Sequence, residues 1–431
     1  ATGIGVKEGS KDIDISILID NNQVKKIIAS YPVAPSPSIL TSFEKAFNKN
    51  EIELELVPQG TLAERIRAGG AGIPAFYTPT GVKTELANNK ESRIINNKLP
   101  KDFDTLIEEQ KKKFFELKSN IASRQSSANI LEEITQNLPE LVGGSADLSG
   151  SNNTKTKHST ILKSANFSGN YIHYGVREHG MAGIMNGMAL HGGVLPYGGT
   201  FLIFLDYCKP SLRLSAFMGL KVIYIFSHDS IGLGEDGPTH QPIEHLAHLR
   251  AIPNLNVFRP ADTIETLECW EIALKSSTNP SVIALSRQKL PFVTEVLTKK
   301  NMSNLGGYEL KKTNLNPEVT LIASGSEVQI AIEALNKLQE ININSKVISM
   351  PCQELFDKQS KEYKEKIIDK NSIKISIEAS SIYGWEKYVG PDGISLGIKS
   401  FGKSAPYKKI YEHFNLTSGN VVKLAKKMLG K

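Results

Sequence analysis

The chain has 431 residues, a length that suggests about three domains. Hydrophobic residues make up 40% of it and charged residues 22%, a globular composition that excludes wholesale disorder, collagen and low-complexity filaments. Its 51 lysines and arginines against 45 aspartates and glutamates give a formal net charge of +6. Because there is no dense basic patch among aromatic residues, and no apolar run of the roughly 20 residues that cross a bilayer, we expect neither nucleic-acid nor membrane binding.

Residues 1–90 contain short apolar runs at 15–19 and 52–57 and a glycine cluster at 69–72. Three prolines within residues 31–38 predict a loop or a boundary there, because proline cannot donate a hydrogen bond to a sheet. Residues 83–120 are rich in lysine and asparagine, and their apolar spacing predicts a helix over Phe103–Leu117 within a connecting arm.

After residue 120 the sequence has the pattern of an α/β protein. Short runs rich in β-branched residues recur, each followed by a turn and most of them then by a helical pattern, which predicts parallel sheets covered on both faces. A second boundary at 289–308 separates a last α/β segment, 309–431. The predicted strands are 222–226, 257–258, 282–285, 319–322, 347–350 and 373–377.

Residues 228–242, which follow the predicted strand 222–226, hold two histidines, two aspartates, a glutamate and three glycines. Ligands bind at the carboxyl ends of strands in parallel sheets, and the glycines favour close approach of the backbone to a ligand. The histidines could polarise a carbonyl or move protons near neutral pH. The same composition is also typical of a hydrophilic surface loop.

Two features upstream of this loop have two interpretations each. Glu178 stands at the start of a predicted helix, where it either complements the helix dipole or lies buried against a ligand nitrogen. Phe201, Phe204 and Tyr207 recur every third residue, which on a helix gives one aromatic face, either for core packing or for stacking against a planar ring.

Residues 95–431 resemble the transketolase family in a series of motifs that keep the family's order and spacing. The motifs are 143–148 (GGSADL), 174–180 (YGVREHG), 200–204 (TFLIF), the loop 228–242, 286–288 (SRQ), 324–328 (SGSEV), 347–351 (VISMP) and 404–406 (SAP). The resemblance implies transfer of a two-carbon ketol unit between phosphorylated sugars, with thiamin diphosphate as the cofactor.

The resemblance also implies which residues contact the cofactor. In this family a glutamate bonds the aminopyrimidine ring, and Glu178 matches that glutamate. Phe201, Phe204 and Tyr207 match the aromatic pocket around the same ring, and Asp147 matches a residue at the cofactor and dimer interface.

The substrate contacts follow from the same resemblance. His228 and His240 match catalytic histidines close to the hydroxyls, the carbonyl or the phosphate end of the sugar, and Asp236 matches a carboxylate that reads a hydroxyl. Guanidinium groups bind phosphate through two parallel hydrogen bonds, which suits phosphorylated sugars. The matching phosphate contacts are Arg124, Ser151 and Arg287.

The family's Gly-Asp-Gly motif, which holds the metal that bridges the diphosphate, does not occur in this sequence. The resemblance therefore implies no metal ligand here. We expect Mg²⁺ or Ca²⁺ to be held by a partner chain or domain that supplies the diphosphate-binding half, in a dimeric assembly.

Residues 20–85 resemble a fragment of the α subunit of a 3-oxoacid CoA-transferase, on the stretches 23–31 (QVKKIIASY) and 53–81. That family continues from the serine-tyrosine into a Val-Gly-Glu-Asn turn, whereas here residues 32–35 (PVAP) follow. The family's nucleophilic glutamate belongs to its β portion, so we expect no CoA-transferase activity.

The sequence therefore predicts a CoA-transferase-like α/β fragment at 1–90, a connecting arm at 91–120, a parallel-sheet pyrimidine-binding domain at 121–300 and a smaller α/β C-terminal domain at 301–431. The alternatives are a CoA-transferase α-type module, a non-catalytic fusion or scaffold, and a thiamin-dependent dehydrogenase β-type subunit. Three widely spaced cysteines form no disulfide framework, and no basic-then-apolar leader follows Ala1, so we expect a cytoplasmic protein.

Overall fold

The computed structural model describes residues 15–33, 40–70, 78, 80–81, 84–88, 90–91, 99–164, 168–313 and 316–431. The chain divides into two compact units, Ala1–Ile95 and Asn96–Lys431. Residues 34–39 and 71–77, which carry part of the proline-rich stretch and of the CoA-transferase resemblance, lie outside the described residues. Every helix in the described ranges is too short or too polar to cross a membrane.

The first unit contains a small parallel sheet. Its elements are α1 (Ser16–Asp20), β1 (Lys26–Ala29), α2 (Ser42–Asn48), β2 (Glu53–Leu56) and α3 (Gln59–Gly70), with a 3₁₀ turn at Glu85–Ala87. β1 and β2 pair in parallel, and Ile27, Phe43 and Ile52 belong to the buried cluster beneath them. A capping box starts α2, because the Thr41 hydroxyl accepts the Glu44 N–H at 3.2 Å and the Glu44 carboxylate accepts the Thr41 N–H at 2.9 Å.

The second unit begins with a parallel sheet whose strand order is β4-β3-β5-β6-β8-β7. Its strands are β3 (Leu141–Ser145), β4 (Tyr171–His173), β5 (Leu195–Phe201), β6 (Ile223–Ser227), β7 (Asn256–Phe258) and β8 (Ser281–Leu285). The helices around it are α4 (Phe103–Leu117), α5 (Ser123–Asn137), α6 (Ser149–Asn152), α7 (Glu178–His191), α8 (Leu205–Phe217), α9 (His245–Arg250) and α10 (Thr263–Lys275).

Successive side chains of β6 belong to two separate apolar layers, one on each face of the sheet. Ile223 and Ile225 pack with α4, α5 and α10, whereas Tyr224 and Phe226 pack with α7, α8 and α9. Successive side chains of a strand point to opposite faces, so a strand covered by helices on both sides is apolar throughout. The helix α4, predicted as part of a connecting arm, contributes buried side chains to the first layer.

A second sheet follows, in the order β13-β12-β10-β11-β9, with β9 antiparallel to β11 and the other pairs parallel. Its strands are β9 (Tyr308–Lys312), β10 (Val319–Ala323), β11 (Ser345–Ser349), β12 (Ile373–Ile377) and β13 (Ile394–Leu396). The accompanying helices are α11 (Val328–Glu340), α12 (Gln353–Asp357), α13 (Lys361–Ile367), α14 (Glu386–Val389), α15 (Tyr407–His413) and α16 (Ser418–Leu429).

A buried ion network joins the two sheets. Arg259 directly follows β7 and has no exposed surface. Its Nε donates to the Asp229 carboxylate at 2.9 Å, and its Nη1 donates to the Ser324 carbonyl at 2.8 Å and to the Glu327 carboxylate. Glu327 also accepts the Ala379 N–H at 2.9 Å. The network therefore connects the loop after β6 with the ends of β10 and β12.

Glu378 is a third carboxylate of this network, to which the Ser324 hydroxyl connects it. Arg250 donates to its two oxygens at 2.7 and 2.8 Å, and Trp385 Nε1 donates at 2.8 Å. Burial alone would raise the pKa of Glu378, but the positive charges of Arg250 and Arg259 lower this pKa to about 2. The carboxylate is therefore ionised in the folded protein over the whole physiological range.

We expect Glu378→Gln to lower the free energy of unfolding by about 3–5 kcal/mol at neutral pH, because Arg250 loses its buried carboxylate partner. The folded pKa of about 2 lies below the ordinary value of 4.5, so the stabilisation is complete above pH 4.5 and is lost as the pH falls through 2. Urea unfolding at a series of pH values should show the difference from wild type shrinking over that range.

The control is Glu140→Gln, at an exposed carboxylate, for which we expect no comparable loss. A difference between wild type and Glu378→Gln that stays constant down to pH 2 would contradict the assigned pairing.

Candidate active site

His228 lies at the carboxyl end of β6 in an unusual backbone conformation. Its φ is +60°, in the left-handed region that few non-glycine residues adopt, and its side chain is buried. Asp229, the next residue, is held by the buried Arg259. The ion network thus fixes the backbone immediately after the histidine.

A chain of hydrogen bonds behind His228 assigns its tautomer. Asn152 Nδ2 donates to Ser145 Oγ at 3.2 Å, which leaves Asn152 Oδ1 to accept the Ser227 hydroxyl at 2.8 Å. Ser227 Oγ lies 2.9 Å from His228 Nδ1 and has already donated its proton, so Nδ1 is the donor in this contact. The lone pair of the neutral ring is therefore on Nε2.

The charge state of His228 follows from its surroundings. Burial, together with the positive charges of Arg124 and Arg287 and the neighbouring His240, lowers the pKa of His228 to about 3. The imidazole is therefore neutral at physiological pH, and Nε2 acts as a hydrogen-bond acceptor.

Aromatic rings form a wall beside the histidines. The ring centroids of Phe201 and His228 are 3.7 Å apart, and those of Phe201 and Phe204 are 5.8 Å apart with the planes within 8° of parallel. Phe204 also contacts Tyr207 at 5.8 Å and His240 at 5.9 Å. The sequence spacing suggested one helix face, but Phe201 ends β5, Phe204 is in a 3₁₀ turn and Tyr207 is in α8, so three elements build the wall.

Two arginines lie next to the histidines with few counter-charges. Arg124 Nη1 donates to the Ser151 carbonyl at 2.7 Å, whereas its buried Nε has no partner among the described residues. Burial and the positive charge of Arg287 lower the pKa of Arg124, and Asp236 acts in the opposite sense. Two neighbouring guanidinium groups favour an anion at this place.

Glu178 occupies the first turn of α7. The residue is only 6% exposed, and its carboxylate makes no hydrogen bond or ion pair with any described residue. Burial and the charge of Glu178 together raise the pKa of Cys208 on α8 to about 12, which indicates that the two groups are close. A buried carboxylate without a partner is costly, so a ligand donor at this position would be strongly favoured.

The structure thus brings together most of the residues predicted from the sequence. Contacts and electrostatic interactions join His228, His240, Phe201, Phe204, Tyr207, Arg124, Ser151, Asp236 and Arg287. Asp147 is exposed on the turn after β3, at a φ of +61°, and within the described ranges no ring contact or hydrogen bond links it to the others.

Sequence reasoning missed the residues that support His228. Asn152 and Ser227 orient its ring, and Arg259 holds the residue after it. The sequence signal for Ser227 is a serine at the end of an apolar strand. A serine at that position is equally typical of a residue that only ends the strand, so the signal does not reveal the hydrogen bond to His228.

The residues present fit the pyrimidine end of thiamin diphosphate. The aromatic wall offers flat apolar surface for a planar heterocycle, and the unpartnered Glu178 offers an acceptor for a ring nitrogen. In the described part of the chain, no group of three or more histidine, cysteine, aspartate or glutamate side chains could hold a metal ion.

Comparison with known families agrees with this geometry. Residues 119–293 match the family model of the transketolase pyrimidine-binding domain, and residues 306–417 match that of the transketolase-like C-terminal domain. Residues 1–113 match the coenzyme A transferase family. The segment from residue 119 to residue 417 therefore belongs to the transketolase family, and a segment that is similar to coenzyme A transferases precedes it.

Individual relatives support the same assignment. A transketolase from Sinorhizobium medicae is 53% identical over 312 residues, which cover 72% of this chain and 45% of that protein. A transketolase from Pichia stipitis, solved in complex with sedoheptulose-7-phosphate, is 42% identical with a TM-score of 0.69 and covers 72% of this chain and 46% of that one. The chain thus spans about half the length of the curated transketolases it matches.

One solved structure is matched over nearly its full length. It is a split-gene transketolase described as an inactive β4 tetramer, which is 25% identical with a TM-score of 0.59. The match covers 72% of this chain and 99% of that chain.

We expect His228 to stay neutral down to about pH 4 and to carry its proton on Nδ1, because burial and two cations oppose protonation. Two-dimensional ¹H–¹⁵N spectra of the imidazole nitrogens across a pH series measure both properties. Arg124→Ala should raise the pKa of His228, since one of the opposing charges is removed. Protonation near pH 6.5, or a proton on Nε2, would contradict this assignment.

Proposed function

We propose that residues 119–417 supply the pyrimidine side of a transketolase-type active site, which transfers a two-carbon ketol unit between phosphorylated sugars, pentose phosphates included. The observation that carries the proposal is a neutral buried histidine that stacks on an aromatic wall and lies within electrostatic reach of two guanidinium groups. A planar cofactor, a polyhydroxylated chain and a phosphate each find a suitable surface there.

The cofactor in this proposal is thiamin diphosphate, which when bound supplies the carbon nucleophile and the electron sink for breaking a ketose carbon–carbon bond. Glu178 would hold a proton at a nitrogen of the pyrimidine ring, a task for which its carboxylate is buried and has no partner among the residues that the structure describes. Phe204 and Tyr207 would stack against that ring and exclude water from it.

The sugar would be bound by the residues around His228. Its Nε2 would accept a hydrogen bond from one sugar hydroxyl, and the Asp236 carboxylate would accept a hydrogen bond from another. His240, which lies against Phe204, would contact the carbonyl end. Arg124 and Arg287 would bind the terminal phosphate, whose negative charge relieves the repulsion between their guanidinium groups.

The diphosphate and its Mg²⁺ or Ca²⁺ would be held by a partner chain or domain in a dimeric assembly. An exposed apolar face on α7 and α8 supports such a contact, because Ile184, Leu214 and Phe217 are 50%, 47% and 81% exposed. The inactive tetramer formed by the split-gene relative supports the need for a second polypeptide. We also propose a cytoplasmic location, which suits three cysteines that are all free and buried.

A second candidate concerns the front of the chain. The family match over residues 1–113 favours a CoA-transferase α-type module there. We propose that this module has no transferase activity by itself, because the family's nucleophilic glutamate belongs to its β portion.

The main test mixes the full chain with a diphosphate-binding transketolase half, thiamin diphosphate and Mg²⁺, and measures ketol transfer from xylulose 5-phosphate to ribose 5-phosphate. Glu178→Gln keeps the shape of the side chain but not its charge, so we expect kcat to fall by about 100-fold or more. The exposed Glu140→Gln serves as the control and should keep the wild-type rate. Full turnover by Glu178→Gln would refute the role assigned to this carboxylate.

A further prediction concerns the phosphate. Loss of one charge-assisted hydrogen bond in Arg287→Ala should raise KM for xylulose 5-phosphate by roughly 10- to 100-fold. The rate with unphosphorylated xylulose as donor should change little, because that sugar has no phosphate for the guanidinium to bind. An equal loss with both donors would argue against a phosphate contact at this residue.

A further inference from the structure

The loop that carries the predicted substrate residues is fastened to the second sheet at several points. Ile231 and Ile243 belong to the apolar cluster that surrounds β10 and α11, although both precede that sheet in the chain. The Ile243 carbonyl accepts the Ser380 hydroxyl at 2.6 Å and the Ser381 N–H at 2.7 Å. The end of the loop is therefore held by residues that follow β12.

Gln241 makes the central contact of this kind. Its carboxamide is buried, and its Nε2 donates to the Gly234 carbonyl at 3.0 Å and to the Lys403 carbonyl at 2.8 Å. One amide group thus closes residues 234–241 on themselves and ties them to the segment that precedes α15. The Ser404 hydroxyl adds a parallel contact by donating to the Glu235 carbonyl at 2.6 Å.

Gly402 packs closely against the carboxamide of Gln241. A Cβ built on Gly402 would lie 1.6 Å from Gln241 Oε1, so a larger residue at position 402 would displace this carboxamide. Gly234 and Gly237 have φ values of +87° and +78°. Because glycine adopts many backbone conformations, residues 234–241 need contacts from outside the turn to hold them in one conformation. Asp236 and His240 are both on this turn.

We infer that Gln241 is a positioning residue that fixes Asp236 and His240 for the sugar by tying residues 234–241 to the second sheet. The inference rests on the proposed function, which assigns those two side chains to the substrate. It also gives the C-terminal domain a part in substrate binding, since Lys403 and Ser404 belong to the segment matched by that domain's family model.

The chemistry at Gln241 requires an amide. Both partners of Nε2 are carbonyl oxygens, and only a group with two N–H donors satisfies both. Gln241→Glu keeps the shape but places a carboxylate oxygen against two acceptors. The turn should then detach from residue 403 while the rest of the fold is retained.

The chain offers a control for the loss of an amide bridge. Asn254 Nδ2 also donates to two carbonyls, those of Ala216 at 2.9 Å and Thr278 at 3.2 Å, and it lies outside the loop. Asn254→Asp therefore removes the same kind of bridge from a different place, at a residue that is exposed whereas Gln241 is buried.

The experiment compares both variants in the full chain. We expect Gln241→Glu to speed hydrogen exchange of the Gly237 and His240 amides by 10-fold or more, and to lower Tm further than Asn254→Asp does, because only Gln241 is buried. With the diphosphate-binding half added, KM for xylulose 5-phosphate should rise about 10-fold in Gln241→Glu at nearly unchanged kcat, and stay at the wild-type value in Asn254→Asp. A merely structural role would reduce the amount of active enzyme and leave KM unchanged.

Unchanged exchange in residues 234–241, or equal KM values in the two variants, would overturn the inference. If wild type and partner show no ketol transfer, the proposed function fails, and the exchange measurement on the chain alone still decides whether Gln241 holds the turn.

Discussion

The buried guanidinium of Arg259 is the contact on which the arrangement of the second unit depends. It donates hydrogen bonds to Asp229, in the loop after β6, and to Ser324, Ser326 and Glu327, which follow β10. A buried charge is stable only when well-oriented partners surround it. Few other orientations of the sheets that contain β6 and β10 would therefore keep the Arg259 guanidinium paired. Because Asp229 follows His228 directly, the contact that joins the sheets also sets the start of the candidate site.

Electrostatics at the site follow from this placement. Arg124 on α5 and Arg287 after β8 come close without a full set of counter-charges, and a buried imidazole beside them stays neutral. An arrangement of this kind is unfavourable when empty and favourable with a bound anion. Glu178, which has no partner in the described part of the chain, has the same character toward a ligand donor. The site thus has the properties of a surface that binds an anion and a hydrogen-bond donor.

Much of the fold was predictable where the apolar pattern is continuous. The helix predicted over Phe103–Leu117 has those bounds, and β12 coincides with the predicted strand 373–377. The strand β5 was missed, because Pro196 and two glycines interrupt its pattern. The structure explains both glycines, since a Cβ on Gly198 would lie 2.6 Å from Met185 Sδ and a Cβ on Gly199 would lie 2.6 Å from Thr154 Cγ2. The roles of the site residues and the domain boundaries stay predictions.

The sequence by itself determined the motifs and those elements whose apolar pattern is continuous, because periodicity and turn residues act over short stretches of chain. It also indicated which residues belong to a candidate site, through their resemblance to a family. Only the tertiary structure decided that Arg259 pairs with residues 30 and 68 positions away, that His228 is neutral with its proton on Nδ1, and that Gln241 bridges to residue 403. The physical reason is that charge, desolvation and hydrogen bonding depend on distances through space, which chain spacing does not specify.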